Sequence, residues 1–333
     1  MTLPRRLGLE AEDVGGFLAE LTNAAGVAAR ELGMETRAVS TARDESEVDL
    51  LLIVGSVNLY PDLARRPKMT RRVLWHIEPL PMPIRGLGDR VHRALPTGKL
   101  LDVTGAALPP LKSTAAWRRL REEAANVREP ITNLAWLRRH APEMDRIVID
   151  TDSRADGALN AGFPFAVVPF GYHEAYAGPL ADPAAARDIE VLTIANVSPV
   201  ARRHRLFGAI SAELGESNVR LTHVPQHTYG EARRTILERS RVVLDVHRLP
   251  GIHPLFRFVL SAAAGAAMIS EPLAQPQPLV PGVHYVEAAA TDLARIARDL
   301  LADEPRRRRL VEAAQELLRT ELDLRQTLQR ALG

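Results

Sequence analysis

The chain has 333 residues, enough for about two domains, and 46 % of them are hydrophobic, enough to fill two ordinary cores. A formal net charge of +2 is nearly balanced, and the absence of cysteine excludes disulfides, thiolate catalysis and Cys-based zinc sites, as suits a reducing cytoplasm. No apolar run approaches the roughly 20 residues of a membrane helix, and the opening MTLPRRLGLEAEDVGG lacks the apolar stretch of a signal peptide, so a cytoplasmic, bacterial protein is expected.

In chain order, Arg6 to Glu10 is short and mixed and makes a poor first strand. Val14 to Leu32 has apolar residues at helical spacing. Met34 to Val39 reads as a strand. The continuous apolar run Leu50 to Val54 predicts a strand buried on both faces. Arg72 to Ile77 predicts another, leading to His76-Ile77-Glu78-Pro79. Thr114 to Arg139 is Arg-rich and amphipathic. Arg146 to Ile149 predicts a fourth clear strand, followed by Asp150-Thr151-Asp152-Ser153. Ala166 to Pro183 has Pro169, Gly171, Gly178, Pro179 and Pro183 with little periodicity, the pattern of a linker.

A second alternation follows. Strands are predicted at Glu190 to Ile194, Val219 to His223, Val242 to Val246 and Ala267 to Ile269. Helices are predicted at Arg202 to Leu214, Tyr229 to Arg239, Pro254 to Ala264 and Ala290 to Leu301, with a helical tail at Pro305 to Thr320 and Leu322 to Leu332. Strand and helix in regular alternation predict an α/β protein with parallel sheets. The expected organisation is a Rossmann-like domain at 1–168, a linker at 169–188, a second Rossmann-like domain at 189–320 and a C-terminal helix at 321–333.

Open parallel sheets bind ligands beyond the carboxyl ends of their strands. There the second half places His247 and Arg248, then His253 and Arg257, then Ser270 and Glu271. Guanidinium groups and helix N-termini suit a diphosphate, and a carboxylate suits a ribose or sugar hydroxyl. After the strand Glu190 to Ile194, the small-residue turn holding Asn196 leads to Arg202 and Arg203, a second phosphate-binding pattern. In the first half, Gly15 and Gly16 allow a ligand close to the backbone, and His76 or Glu78 is a candidate general base. Asp150 and Asp152 form a DxD, read either as helix caps or as a metal-binding pair. No HExxH, paired-His, GxGxxG or P-loop pattern is present, so neither a metal nor a cofactor is expected beyond the donor substrate. Aromatic residues make up 5 % of the chain and no nucleic-acid-binding motif is visible, so no nucleic-acid partner is expected. The run Arg306-Arg307-Arg308-Arg309 reads as a solvated helix face or as a contact with an anionic lipid or partner.

Several of these segments resemble the GT-B glycosyltransferases, in particular the spore-maturation-type and family-1-like glycosyl transferases. Gly15-Gly16-Phe17 with Glu31-Leu32-Gly33 resembles that fold's opening. Ile194 to Leu206 resembles its phosphate loop, and ILERSRVVLDVHR and RFVLSAAAGAAMISE resemble its donor-binding segments. Pro281 to Val286 and the tail helices continue the match, which spans about 130 residues of the second half and is looser in the first. The resemblance implies two Rossmann-like domains facing a central cleft, with C-terminal helices packing back on the first. It implies sugar transfer from a nucleoside-diphosphate donor to an acceptor hydroxyl without an essential metal. Arg202 and Arg203 would bind the diphosphate, His247, Arg248 and Arg257 would assist, and His76 or Glu78 would face the acceptor. The Arg-rich segment Thr114 to Arg139 reads equally as a solvated surface or as a contact with a lipid-linked or otherwise anionic acceptor, which would bring the protein to the inner membrane face. One departure is Leu260, where the family usually has a ribose-contacting glutamate; Glu271 would then take that role. The alternatives are a non-catalytic nucleotide-sugar-binding protein and a nucleotide-sugar epimerase.

Overall fold

The computed structural model describes residues 3–10, 16–56, 59–60, 62–78, 80, 132–151, 162–194, 201–224, 228–248, 251 and 255–333. The first sheet has six parallel strands in the order β2-β1-β3-β4-β5-β6. They are β1 (Arg6–Glu10), β2 (Glu35–Val39), β3 (Leu50–Gly55), β4 (Arg71–His76), β5 (Arg146–Ile149) and β6 (Ala166–Val167). The second sheet has five parallel strands in the order β11-β10-β9-β7-β8. These are β7 (Ile189–Thr193), β8 (Leu221–His223), β9 (Ser240–Asp245), β10 (Ala267–Ser270) and β11 (Val286–Glu287). The chain order reverses between β1 and β3 in one sheet and between β7 and β9 in the other. Those two switch points are where open α/β sheets form their crevices.

The expected poor strand at Arg6 to Glu10 is in fact β1, the second strand of its sheet, paired on both sides. Its polar residues sit at its two ends: Arg6 pairs with Asp49 at 2.9 Å and Glu10 pairs with Arg66. Gly8 lies between them because a Cβ there would come within 2.8 Å of Val39 and 2.9 Å of Val48. β3, LLLIVG, is buried throughout. Its Leu50, Leu52 and Val54 face one apolar layer and Leu51 and Ile53 face the other.

Helix α1 (Gly16–Glu31) packs on the first layer through Leu21, Ala24, Ala25, Ala28 and Ala29. Small residues bring it close to the sheet, and a Cβ on Gly26 would stand 2.6 Å from Leu9. It stops at Gly33, whose φ of 82° is the left-handed turn that glycine adopts without penalty. Helix α2 (Ala42–Ser46) starts with a reciprocal cap: Asp44 N donates to Thr41 Oγ1 at 3.1 Å, and Thr41 N donates to Asp44 Oδ2 at 3.1 Å. It carries Glu45 into full burial beside Arg72.

The Ala166 to Pro183 stretch is more ordered than a linker. It contains β6 and the one-turn helix α3 (Glu174–Ala177), capped by His173 Nδ1, which accepts from Ala175 N at 3.1 Å. Trp75 Nε1 donates to Val168 O at 2.9 Å, and Tyr176 OH donates to Gly171 O at 2.9 Å. These bonds replace the hydrophobic period that the sequence lacks there.

The remaining helices are α4 (Ala201–Gly215), α5 (Gly230–Glu238), α6 (Leu255–Ala263), α7 (Leu293–Ala302), α8 (Glu304–Thr320) and α9 (Leu324–Leu332). α4 and α7 cover one face of the second sheet, and α6 and α8 the other. α9 crosses back and packs on α1 and β4 of the first sheet. Its crossing is pinned where Leu324 N donates to Tyr172 O at 2.8 Å, Tyr172 N donates to Leu322 O, and Arg146 donates to Arg330 O at 3.1 Å. One apolar cluster runs without interruption from α1 and the first sheet through α3, α6, α8 and α9 to the second sheet. Thr114 to 131 of the Arg-rich segment lies outside the described residues, while residues 132–140 are helical. Among the described residues, no helix is long and apolar enough to cross a membrane.

Candidate functional site

The switch point of the second sheet gathers charged side chains from three strand ends. β9 delivers Asp245 and then His247; β10 delivers Ser270 and Glu271; the first turn of α4, after β7, supplies Arg202 and Arg203. From Val242 onward β9 is buried, as is all of β10, so their downstream polar residues appear where the strands end.

Arg203 spans the crevice, its Nε donating to Val246 O at 2.8 Å. It is 4 % exposed. Burial, with Arg257 alongside, works against its charge, whereas Asp245 favours it. Arg202 donates from Nη1 to His247 O at 2.7 Å and to Glu271 Oε2 at 2.9 Å, and from Nη2 to Glu271 Oε1. Glu271 Oε2 also accepts from His247 N at 2.7 Å. Both arginines therefore link α4 to the loop after β9, directly across the switch point.

His247 is fully buried, with Nε2 2.9 Å from Ser270 Oγ and 3.5 Å from Asp245 Oδ2. Burial pushes its pKa below the ordinary histidine value, against the pull of Asp245 and Glu271. Its ring is therefore neutral near pH 7. Asp245 pairs with Arg257 on α6. Burial tends to raise the Asp245 carboxyl, but Arg257, then His247 and Arg203, outweigh it and hold it below the usual carboxylate value. Arg248, half-buried, adds a further cation beside Arg203. Among the described residues, four arginines and two carboxylates gather at the N-terminus of a 15-residue helix, α4. That combination attracts an anion.

Asp245 is the site residue that sequence reading missed. Its signal was a lone carboxylate ending the apolar run of VVLDVH, directly before a histidine. Arg202, Arg203, His247, Arg248, Arg257, Ser270 and Glu271 converge here. His76 and Glu78 lie on the other sheet, at and just after the end of β4; His76 is fully buried and Glu78 half-buried. Gly16, with φ of 57°, opens α1, and a Cβ there would stand 3.1 Å from the Tyr229 ring. Around it the two halves meet: Phe17 packs on Phe256 with centroids 4.5 Å apart, and Arg233 pairs with Glu20 at 2.8 Å. Gly15, Asn196, His253 and Asp152 lie outside the described residues. Asp150 is buried after β5. Among the described residues, no group of three or more His, Asp or Glu is arranged to hold a metal ion.

Two parallel Rossmann-like sheets with a C-terminal helix returning to the first are the arrangement of the GT-B fold. Solved structures share this arrangement across the whole chain. HepE from Anabaena, in complex with UDP-glucose, matches with a TM-score of 0.57 and 11 % identity, covering 99 % of this chain and 98 % of that one. An α-glucosyltransferase in complex with UDP and a 13-mer DNA matches with a TM-score of 0.60 and 10 % identity, covering 98 % of each chain. TarM matches with a TM-score of 0.55 and 9 % identity over 85 % of this chain, which spans 54 % of TarM's length. Residues 194–333 match the family described as glycosyl transferase-like. The fold of the whole chain is thus the one seen in these GT-B structures, and the family match lies in its second half. No curated protein sequence matches the chain.

Proposed function

We propose that the chain transfers a glycosyl group from a nucleoside-diphosphate sugar to an acceptor hydroxyl, without an essential metal. The observation that carries this reading is the pair Arg202 and Arg203, anchored at the head of α4 to the carbonyls of Val246 and His247 across the β7/β9 switch point. A leaving diphosphate gains negative charge as the glycosidic bond breaks. Fixed guanidinium groups and helix amides stabilise that charge without reorganising. Arg202, Arg203 and Arg257 supply it here, and His247 and Ser270 hold the loop between them. Glu271 serves as the acceptor for a donor hydroxyl. The acceptor enters from the first sheet, where Glu78, less enclosed than His76, is the better-placed base. The UDP-glucose held by HepE and the UDP held by the α-glucosyltransferase support this donor class.

A second reading is favoured by Leu260. It is 3 % exposed and packed within the apolar cluster of α6, so no carboxylate reaches a ribose from that position. A protein that holds the nucleotide sugar without transferring it fits that substitution.

The two readings separate when the full chain is incubated with UDP-glucose and other nucleotide sugars, with an acceptor panel, in the presence of EDTA. Release of nucleoside diphosphate with formation of a glycosylated product supports transfer, and its persistence in EDTA supports metal independence. Binding without release or transfer across the panel supports the second reading and refutes the first.

A further inference from the structure

The run Arg306 to Arg309 has no part in the donor cleft. It opens α8, and two of its members, Arg307 and Arg308, line a separate cavity of about 500 Å³ together with Arg187, Arg241 and Gly265. That volume is within the range of small-molecule pockets, about 300–1,000 Å³. Arg187 precedes β7, Arg241 is the second residue of β9 and Gly265 precedes β10. The cavity therefore sits at the N-terminal edge of the second sheet. The Arg202–Glu271 pair is at the opposite edge, roughly 13 Å away along β9.

Positive charge predominates on the wall of this cavity. Arg187 is only 9 % exposed. It donates to the carbonyls of Ala185 at 2.8 Å, Asp182 at 3.1 Å and Ala264 at 3.0 Å, and its buried Nε has no partner. Gly265 makes room for it: a Cβ there would overlap the guanidinium. Arg241 donates to Arg187 O at 2.9 Å, and Arg307 donates to Leu300 O at 2.6 Å and to Leu301 O. Carbonyls fix these three side chains, and of the carboxylates that act on them (Asp182 and Glu238 on Arg187, Asp188 on Arg241, Asp303 and Glu304 on Arg307) only Glu304 lies on the cavity wall. Burial and then the facing charge of Arg241 lower the Arg307 pKa, against the opposite pull of Glu304 and Asp303. Among the described residues the one carboxylate on the wall is Glu304, exposed and 3.7 Å from Arg308. The N-terminus of the 17-residue α8 adds its own positive end.

We propose that this cavity is a second anion site, which takes a phosphate group on a small molecule or on a phospholipid headgroup. Preset, planar guanidinium forks suit phosphate oxygens, and a bound phosphate relieves the repulsion between Arg241 and Arg307.

Calorimetric titration of the full chain with inorganic phosphate tests this, using wild type, Arg241→Gln/Arg308→Gln and Arg202→Gln. Arg241 and Arg308 are exposed, so their replacement leaves folding intact, which thermal unfolding without phosphate checks. The expected result is saturable binding to wild type, weakened about tenfold or more in Arg241→Gln/Arg308→Gln and retained in Arg202→Gln. Absence of saturable binding to wild type, or wild-type affinity in the double variant, overturns the proposal. Sedimentation with phosphatidylglycerol vesicles, against phosphatidylcholine vesicles, distinguishes the source. Co-sedimentation that free phosphate competes away assigns a lipid headgroup; phosphate binding without co-sedimentation assigns a soluble phosphorylated compound.

Discussion

Arg202 and Glu271 grip each other through both guanidinium Nη atoms and both carboxylate oxygens, one leg at 2.9 Å, and so tie the head of α4 to the end of β10. Arg202 keeps 26 % of its side chain exposed, whereas Glu271 keeps 6 %. The arginine is thus the partner that faces the crevice, with its fork already oriented. Replacing Arg202 by Ala is expected to weaken nucleoside-diphosphate affinity about tenfold or more, the worth of a charge-assisted pair. Calorimetry checks it; unchanged affinity removes Arg202 from the site.

The buried imidazole of His247 predicts a pH dependence of stability. Its folded pKa lies below the ordinary histidine value, chiefly through burial. Above the ordinary value, near 6.5, both folded and unfolded states are neutral and the stability is fully present. As the pH falls below that value, the unfolded chain takes up a proton that the folded chain resists, and stability is lost. His223 and His284 are lowered too, so the relevant quantity is a difference. His247→Asn is expected to flatten part of the loss between pH 6.5 and the lower folded value, followed by urea unfolding across that window. Identical pH profiles for variant and wild type contradict the assignment.

Glu45 and Arg72 form a fully buried two-point ion pair in the first half, at 2.8 and 2.9 Å. Arg72→Ala leaves Glu45 buried with only Arg66 as an ionic partner. The expected loss is about 3 kcal/mol, at the lower end for a broken buried pair. Arg72→Met, which removes the charge but keeps the volume, should cost about as much because Glu45 stays buried without the partner that chiefly offsets its burial. Double replacement by Glu45→Gln/Arg72→Met should recover part of it. Chemical denaturation of the three variants measures this, and a loss below about 1 kcal/mol for Arg72→Ala argues against the pair.

Gly171 lies under the returning tail. A Cβ there would collide with Leu322 O and come within 2.8 Å of Thr327 Oγ1. Backbone oxygen cannot move aside as a flexible side chain would. Gly171→Ala is therefore expected to cost about 1–3 kcal/mol and to loosen α9 from α1. Faster amide exchange across α9 than across α8 is the specific outcome. Uniform or absent change contradicts the view that this contact seats the tail.

The sequence made some of this visible and hid the rest for physical reasons. β3 is an unbroken apolar run because both faces are covered, and β9 has an apolar middle, so their positions and the polar residues after them could be read directly. β1 escaped because Gly8 and its polar end residues erase the apolar signal; what makes it a strand is its partners on either side. α2 has five residues, too few to show a period. Arg202 and Glu271 were each visible as strand-end residues, but 69 positions separate them and nothing local announces their pairing. Asp245 was hidden inside a strand pattern, and the order of the Ala166 to Pro183 stretch comes from Trp75, Tyr176 and the distant Leu322. The arginine run at 306–309 was legible only as charge. Its division between cavity and surface depends on where β7, β9 and β10 begin.

The central claim is that the β7/β9 crevice receives a nucleoside diphosphate. Thermal unfolding of the full chain with UDP, GDP, dTDP and ADP, beside Arg202→Ala, tests it most directly, because a ligand that binds only the folded state raises the midpoint. The predicted result is a concentration-dependent rise with at least one of these nucleotides that is lost in Arg202→Ala. No rise with any of them, or an equal rise in the variant, would contradict the account.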